Sequence, residues 1–169
     1  KSTGLYMLSQ TSYDSGFLVR YGIRYDVNII RTDSSSSIML DKLNPSLGLS
    51  YKVNSNDNIF FSFGTSFETP TLNELSNNPN GEGLNEDLKS SSSLNYEIGW
   101  RKAVSNLTLE AIAYVISSEN EILPYELEQF PGKNFYQNVG STSRYGLELN
   151  SQLSFTGGRI NLSYTLSKN

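Results

Sequence analysis

The 169-residue sequence contains no cysteine and no histidine. The first absence excludes a disulfide framework and a thiolate metal site. The second removes the commonest general base and metal ligand of proteins, and with it the usual catalytic triad. The formal net charge of −4 disfavours a nucleic-acid partner. We therefore expect a protein that is not an enzyme and that needs neither a cofactor nor a metal centre.

Long apolar runs are missing as well. Hydrophobic residues make up 37% of the chain, and no run reaches the roughly 18 residues of a membrane-crossing helix. Apolar side chains instead alternate with polar ones, most clearly over residues 17–30. Because neighbouring side chains of a strand point to opposite faces, such a segment has one apolar and one polar face. Alternation of this kind is how a transmembrane barrel combines a lipid-facing surface with low average hydropathy.

The connections between strand-like segments are alternately short and long. The short turns are 13–16, 54–57, 103–106 and 156–158, and the long loops are 31–42, 68–93 and 119–137. Short turns on one end and long loops on the other are typical of outer-membrane barrels. The sequence thus predicts an all-β fold, an antiparallel up-and-down transmembrane β-barrel to which this chain contributes about eight strands.

The alternation also predicts which side chains face lipid and which face the lumen of such a barrel. The predicted lipid-facing residues are Phe17, Val19, Tyr21, Leu47, Leu49, Phe61, Phe63, Leu147 and Leu149. The predicted lumen-facing residues are Arg20, Arg24, Lys52, Glu97, Arg101 and Glu148. Of these, we expect Arg24, Glu97, Arg101 and Glu148 to form a structural network with one another or with a plug domain.

Several short segments follow one another in a fixed order. They are Arg24-Tyr25-Asp26, Leu43–Leu47, Phe67–Leu75, Asn85–Lys89 with Tyr96–Arg101, and Asn138–Gly140 with Tyr145–Leu149. In this order and spacing they resemble segments of TonB-dependent outer-membrane receptors. The chain departs from the family pattern at Glu68, which stands in place of an arginine, and at Glu86 and Ser90-Ser91, which stand in place of a proline and a Pro-Glu pair. No arginine role is transferred to Glu68.

This resemblance implies a barrel of about 22 strands closed by an N-terminal plug. Residues 1–169 are then expected to be part of one barrel domain, from the C-terminal half of a receptor, without the plug. The implied function is active uptake of a ferric siderophore, vitamin or similar nutrient through the outer membrane of a Gram-negative bacterium. The implied partners are outer-membrane lipid, a small-molecule nutrient ligand (iron complexes among the candidates) and TonB, reached through the plug.

The loop 119–137 holds the candidate ligand residues. They are Tyr125, Glu126, Glu128, Phe130, Phe135 and Tyr136, which a solvated loop with aromatics on the barrel rim would explain equally well. Its acidic side chains disfavour a triply charged ferric catecholate as substrate. Two other classes of protein stay open: a complete small outer-membrane barrel with a structural or adhesion role, and a soluble β-sandwich binding module.

Overall fold

A single antiparallel sheet dominates the computed structural model, which describes residues 1–31 and 37–169. The strands are β1 (Ser2–Ser12), β2 (Phe17–Arg31), β3 (Ser37–Lys52), β4 (Asp57–Glu68), β5 (Ser91–Val104), β6 (Leu107–Glu126), β7 (Asn134–Phe155) and β8 (Gly158–Lys168). A short helix, α1 (Leu72–Ser76), lies between β4 and β5. Strand order in the sheet follows chain order, and every neighbouring pair is antiparallel. The predicted up-and-down order is confirmed.

The sheet is open within the described residues, with β1 and β8 as its edges. An eight-stranded barrel closed on itself would pair these two strands, so the structure does not support the complete small barrel. Nor does it support a β-sandwich, because the described chain contains one sheet and no second layer. In the same residues, no helix is long and apolar enough to cross a membrane.

The strand register sorts side chains onto two faces as the alternation predicted. One row crosses the sheet through Val19, Leu49, Phe61, Ile98 and Ala113 to Leu147, each directly opposite the next. All predicted lipid-facing residues share this apolar face, and all predicted lumen-facing residues share the opposite, polar face. Since a slip of one residue would exchange the two faces, the hydrophobic pattern is what specifies the register.

Aromatic rings on the polar face lie over glycines of the next strand. Phe60 is directly opposite Gly99, and Tyr114 is directly opposite Gly146. A methyl group added to Gly99 would collide with the Phe60 ring, and one added to Gly146 would lie 2.7 Å from the Tyr114 ring. The glycines are therefore sites of close approach rather than positions of backbone freedom.

The predicted loop 119–137 is wrong in extent. Residues 119–126 belong to β6 and 134–137 to β7, so only residues 127–133 connect the two strands. The two strands continue to pair up to Glu126 and Asn134, although Asn120 adopts a left-handed backbone with φ of 56° and leaves the ladder. Beyond a lipid band both faces of a strand meet water, so polarity stops alternating and the sequence signal is lost.

The other two predicted loops are also shorter than expected. Residues 37–42 form the start of β3, while residues 32–36 of the predicted loop 31–42 lie outside the described residues. In the predicted loop 68–93, Glu68 belongs to β4 and residues 91–93 belong to β5, and α1 lies between them. That helix begins with a reciprocal cap, in which the Thr71 side chain accepts from the Glu74 amide and the Glu74 carboxylate accepts from the Thr71 amide.

A notch interrupts the long-loop end of the sheet, because the hairpin β4–β5 is shorter there than its neighbours. In the described chain, β3 pairs with β4 only as far as Ser46, and β6 pairs with β5 only as far as Glu119. Residues 37–45 of β3 and 120–126 of β6 thus have no strand partner on the side facing the notch. We call residues 69–90, which connect β4 to β5 across this gap, the notch loop.

The core of the described chain lies in the notch. Leu75, Leu84 and Leu88 of the notch loop are buried together. They pack against half-buried side chains from the two taller hairpins, namely Ile30 and Ile38 on one side and Ile122 and Tyr136 on the other. The loop is therefore packed between both hairpins.

Candidate functional site

A cleft of about 450 Å³ lies where the notch loop meets the hairpin β6–β7. We call it the notch cleft. Its walls are formed by Pro79, Asn80, Asn85, Asp87, Leu88 and Lys89 of the notch loop and by Asn120, Tyr125, Tyr136, Gln137 and Asn138 of the hairpin. Most of these residues are asparagine, glutamine or tyrosine, and one acid and one base are among them.

Asn138 joins the two walls of the cleft. Its side-chain carbonyl accepts a hydrogen bond from the Lys89 amide at 2.7 Å, and its side-chain amide donates to the Lys89 carbonyl at 2.8 Å. The same amide donates to the Asn120 carbonyl at 2.8 Å. Asn138 thus pairs with the peptide groups of Lys89 as a neighbouring strand would, and holds the notch loop against β6.

The notch loop is also fixed from within. The Asn85 amide donates to the Leu75 carbonyl at 2.7 Å, and the Asn78 side chain donates to the Leu84 carbonyl at 3.4 Å. Gly81 and Gly83 have φ of 124° and 94°, values that side chains with a Cβ rarely adopt. The notch loop therefore has an internal structure of its own, held by these hydrogen bonds.

Two of the six predicted ligand residues line the cleft, Tyr125 and Tyr136. Phe135 is instead almost fully buried, with ring centroids of Tyr125 at 6.1 Å and Phe130 at 5.7 Å. The Lys133 ammonium lies 5.0 Å from the Phe135 ring centroid. Phe130 and Phe135 therefore stabilise the tip of the hairpin.

The predicted acidic candidates lie away from the cleft lining. Glu126 is the last residue of β6, and Glu128 lies in the turn 127–133. Asn80, Asn120 and Gln137, which do line the cleft, are not among the predicted residues. The sequence signal for the wall formed by the notch loop was the set of asparagines within residues 77–85. The signal for the wall formed by the hairpin was the segment Asn138–Gly140.

The predicted lumen residues share the polar face, but the described contacts join them to other partners. Arg24 pairs with the buried Asp26 at 2.8 Å, and Arg101 pairs with Glu110. Glu97 accepts a hydrogen bond from the Ser62 hydroxyl at 3.1 Å. These contacts join adjacent strands or neighbouring residues of one strand. The predicted network among Arg24, Glu97, Arg101 and Glu148 stays a prediction.

A second, smaller cavity of about 290 Å³ lies next to the base of the notch loop. We call it the acidic pocket, because its charged lining residues are Glu68, Glu74 and Glu121. The remaining lining is Ser91, Ser93, Ser118, Ile122 and Leu123. Among the residues that the structure describes, no lysine or arginine lines it, whereas Lys89 lines the notch cleft.

Comparison with known proteins shows which family and which known folds this chain is similar to. The family model described as TonB dependent receptor-like, beta-barrel matches residues 1–169. The vitamin B12 transporter BtuB of Vibrio vulnificus (strain CMCP6) is 33% identical over 106 residues, which are 62% of this chain and 15% of that protein.

Solved structures of outer-membrane proteins share the fold. The FrpB iron transporter of Neisseria meningitidis (F3-3 variant) superposes with a TM-score of 0.79 at 19% identity, covering 99% of this chain and 24% of that one. The alcaligin outer-membrane receptor FauA of Bordetella pertussis superposes with a TM-score of 0.70 at 18% identity, covering 98% and 29%. The chain spans less than a third of each of these proteins.

Proposed function

Because this chain belongs to the family of TonB-dependent receptor β-barrels, we propose that it forms part of an outer-membrane receptor for active uptake of a small nutrient. The family consists of transport receptors rather than enzymes. The observation that carries the proposal is the match of the family model over the whole chain, together with an open sheet that has one apolar and one polar face. In the receptor, the apolar face would meet lipid and the polar face would line the lumen.

The candidate nutrients follow from the relatives. BtuB transports vitamin B12, FrpB is an iron transporter and FauA is a receptor for alcaligin. We propose that the present receptor takes up a ligand of this general kind, a vitamin or a ferric siderophore, at the outer membrane of a Gram-negative bacterium. Energy for uptake would come from TonB through a plug domain.

The notch cleft is our candidate for ligand contact on this chain. It lies at the long-loop end, which faces the outside of the cell in barrels of this type. Its walls are held by Asn138 and the buried leucines, so a ligand would meet an ordered surface and less loop entropy would be lost on binding.

The test uses the full-length receptor in a Gram-negative host lacking its own vitamin B12 and siderophore receptors. Uptake of cyanocobalamin and of ferric siderophores is measured with and without TonB. Replacing residues 77–90 by a glycine-serine linker should abolish uptake while the receptor still reaches the outer membrane, because no strand pair is removed. The matched control replaces the exposed Glu128 and Gln129 of the turn 127–133 by Gly-Ser, leaves Phe130 and Lys133 in place, and should retain uptake. Uptake that needs no TonB would contradict the proposal.

A further inference from the structure

Asn80 of the notch loop is the only asparagine of the sequence that is followed by a glycine. In such a pair, the backbone nitrogen of the glycine can attack the side-chain carbonyl carbon of the asparagine, because the glycine has no Cβ to obstruct the approach. The attack closes a five-membered succinimide ring. Whether Asn80 reacts then depends on how firmly the fold holds its side chain and the Gly81 amide.

The structure leaves both reacting groups of this pair accessible. Asn80 is exposed, and its side chain makes no hydrogen bond to any residue that the structure describes, although its backbone amide donates to the Asn78 side-chain carbonyl at 2.9 Å. The Gly81 amide lies 3.5 Å from the Asn78 backbone carbonyl, which is long for a hydrogen bond. No described atom lies within 4 Å of the place where a Cβ on Gly81 would be. The ring and an attacking water molecule therefore have room.

The asparagine of the tight turn 54–57 shows the opposite arrangement. Asn54 is also exposed and precedes a small residue, Ser55. Its side-chain carbonyl accepts from the Asn56 and Asp57 amides at 2.8 and 2.9 Å, and its side-chain amide donates to the Asp57 carboxylate at 3.0 Å. Ring closure would expel the nitrogen that Asp57 holds and would distort the turn, so these hydrogen bonds raise the barrier to reaction.

Two further asparagines of the notch loop are protected in other ways. Asn78 precedes Pro79, whose ring nitrogen carries no hydrogen and cannot form the succinimide. Asn85 is buried, and its side-chain carbonyl accepts from the Asp87 amide at 3.2 Å. Within this loop, Asn80 thus combines an exposed and unbonded side chain with an unobstructed neighbour.

From this contrast we propose that Asn80 is a site of spontaneous deamidation, which the folded notch loop leaves open to reaction. The Gly81 nitrogen forms a bond to Asn80 Cγ while the Cγ–Nδ2 bond breaks, and ammonia leaves with the proton that the Gly81 nitrogen gives up. Water then opens the succinimide at either carbonyl and yields aspartate or isoaspartate. Nothing is oxidised or reduced, and solvent water is the only co-reactant.

The modification changes the wall of the notch cleft. Asn80 lines the cleft together with one acid, Asp87, and one base, Lys89. Either product replaces the carboxamide by a carboxylate, so a lining with balanced charges becomes net negative. Isoaspartate also adds a methylene group to the main chain between Leu75 and Leu84, which are the buried residues on either side. The loop thus becomes more acidic and longer as the protein ages.

The experiment compares Asn80 with Asn54 in the purified full-length receptor. The receptor is incubated in mildly alkaline buffer, once folded in detergent and once unfolded in guanidinium chloride. Proteolytic digestion, chromatography and mass spectrometry then measure the aspartate and isoaspartate formed at each asparagine over time. Asn80→Gln is the control variant, because its longer side chain would have to close a six-membered ring and reacts far more slowly.

In the folded receptor we expect Asn80 to be modified at least about tenfold faster than Asn54, which corresponds to a barrier lower by about 1.4 kcal/mol. Folding should slow Asn54 more than Asn80, since of these two side chains it is Asn54 that is held by hydrogen bonds. Asn80→Gln should remove the products from the peptide that contains residue 80.

A smaller ratio between the two rates in the folded receptor overturns the inference. Equal slowing of both asparagines by folding also overturns it, because the contrast would then come from the following residue and not from the fold. Isoaspartate that persists in the same peptide after Asn80→Gln would assign the modification to another residue.

Discussion

At the short-turn end of the sheet the strands pair residue by residue and few side chains are buried, whereas at the long-loop end the pairing stops and a small core takes over. Four tight turns join the strands at the first end. At the second, the notch loop packs Leu75, Leu84 and Leu88 between two taller hairpins. One end is determined by local alternation and turn chemistry, and the other by contacts between segments far apart in sequence.

The largest expected effect is at the centre of the notch core. Leu75 is fully buried, while Leu72 on the same helix is 52% exposed. Leu75→Ala should destabilise the docked notch loop by about 2–5 kcal/mol, because it leaves a cavity among side chains from three segments. Leu72→Ala, which removes the same atoms, should have little effect. Hydrogen exchange of the amides of residues 77–90 in the full-length receptor measures the difference. Equal protection in both variants would show that the loop is held by its hydrogen bonds alone.

The second prediction compares the two faces of the sheet near its short-turn end. Leu49 lies on the apolar face, and Ser50, which donates to Asn58, lies on the polar face. Leu49→Arg should cost about 2–4 kcal/mol in a membrane-folding assay, because a charge then faces hydrocarbon. Ser50→Arg should cost much less, since its charge faces water in the lumen. Comparable losses at both positions would count against the barrel orientation.

The smallest effect concerns the glycines beneath aromatic rings. Gly99 lies under the Phe60 ring, whereas Gly64, on the same polar face, has no atom within 4 Å of an added methyl. Gly99→Ala should destabilise the sheet by about 1–3 kcal/mol through overpacking. Gly64→Ala should be neutral or slightly stabilising. Unfolding of the full-length receptor in detergent compares them, and a neutral Gly99→Ala would mean that Phe60 moves aside freely.

The short-turn end of the sheet could be predicted from the sequence because each of its features has a local cause. Val19 and Leu49 meet on one face because both strands alternate, and Gly16 and Gly157 adopt the positive φ that tight turns require. Turn residues and period-two alternation can both be recognised within short stretches of sequence.

The notch and its cleft depend on contacts that no short window contains. Leu75 and Ile30 are 45 positions apart, and nothing near either residue indicates that they pack together. Asn138 belongs to a segment that the family resemblance singled out, but its bonds to Lys89 bridge 49 positions. The helix α1 was missed although Thr71 and Glu74 carry a capping signature, since a helix of five residues has no detectable period.

Pro45 marks the point where β3 leaves β4, and this matters for receptors crowded in one membrane. Its carbonyl points toward β4, accepting a bond from the Thr65 hydroxyl at 3.3 Å, so the missing proline N–H lies on that same edge. An exposed edge normally invites a strand from another molecule, and proline is one of the residues that prevent it. While the notch loop has yet to dock during assembly, we expect Pro45 to hinder the free edge of β3 from pairing with a strand of another copy.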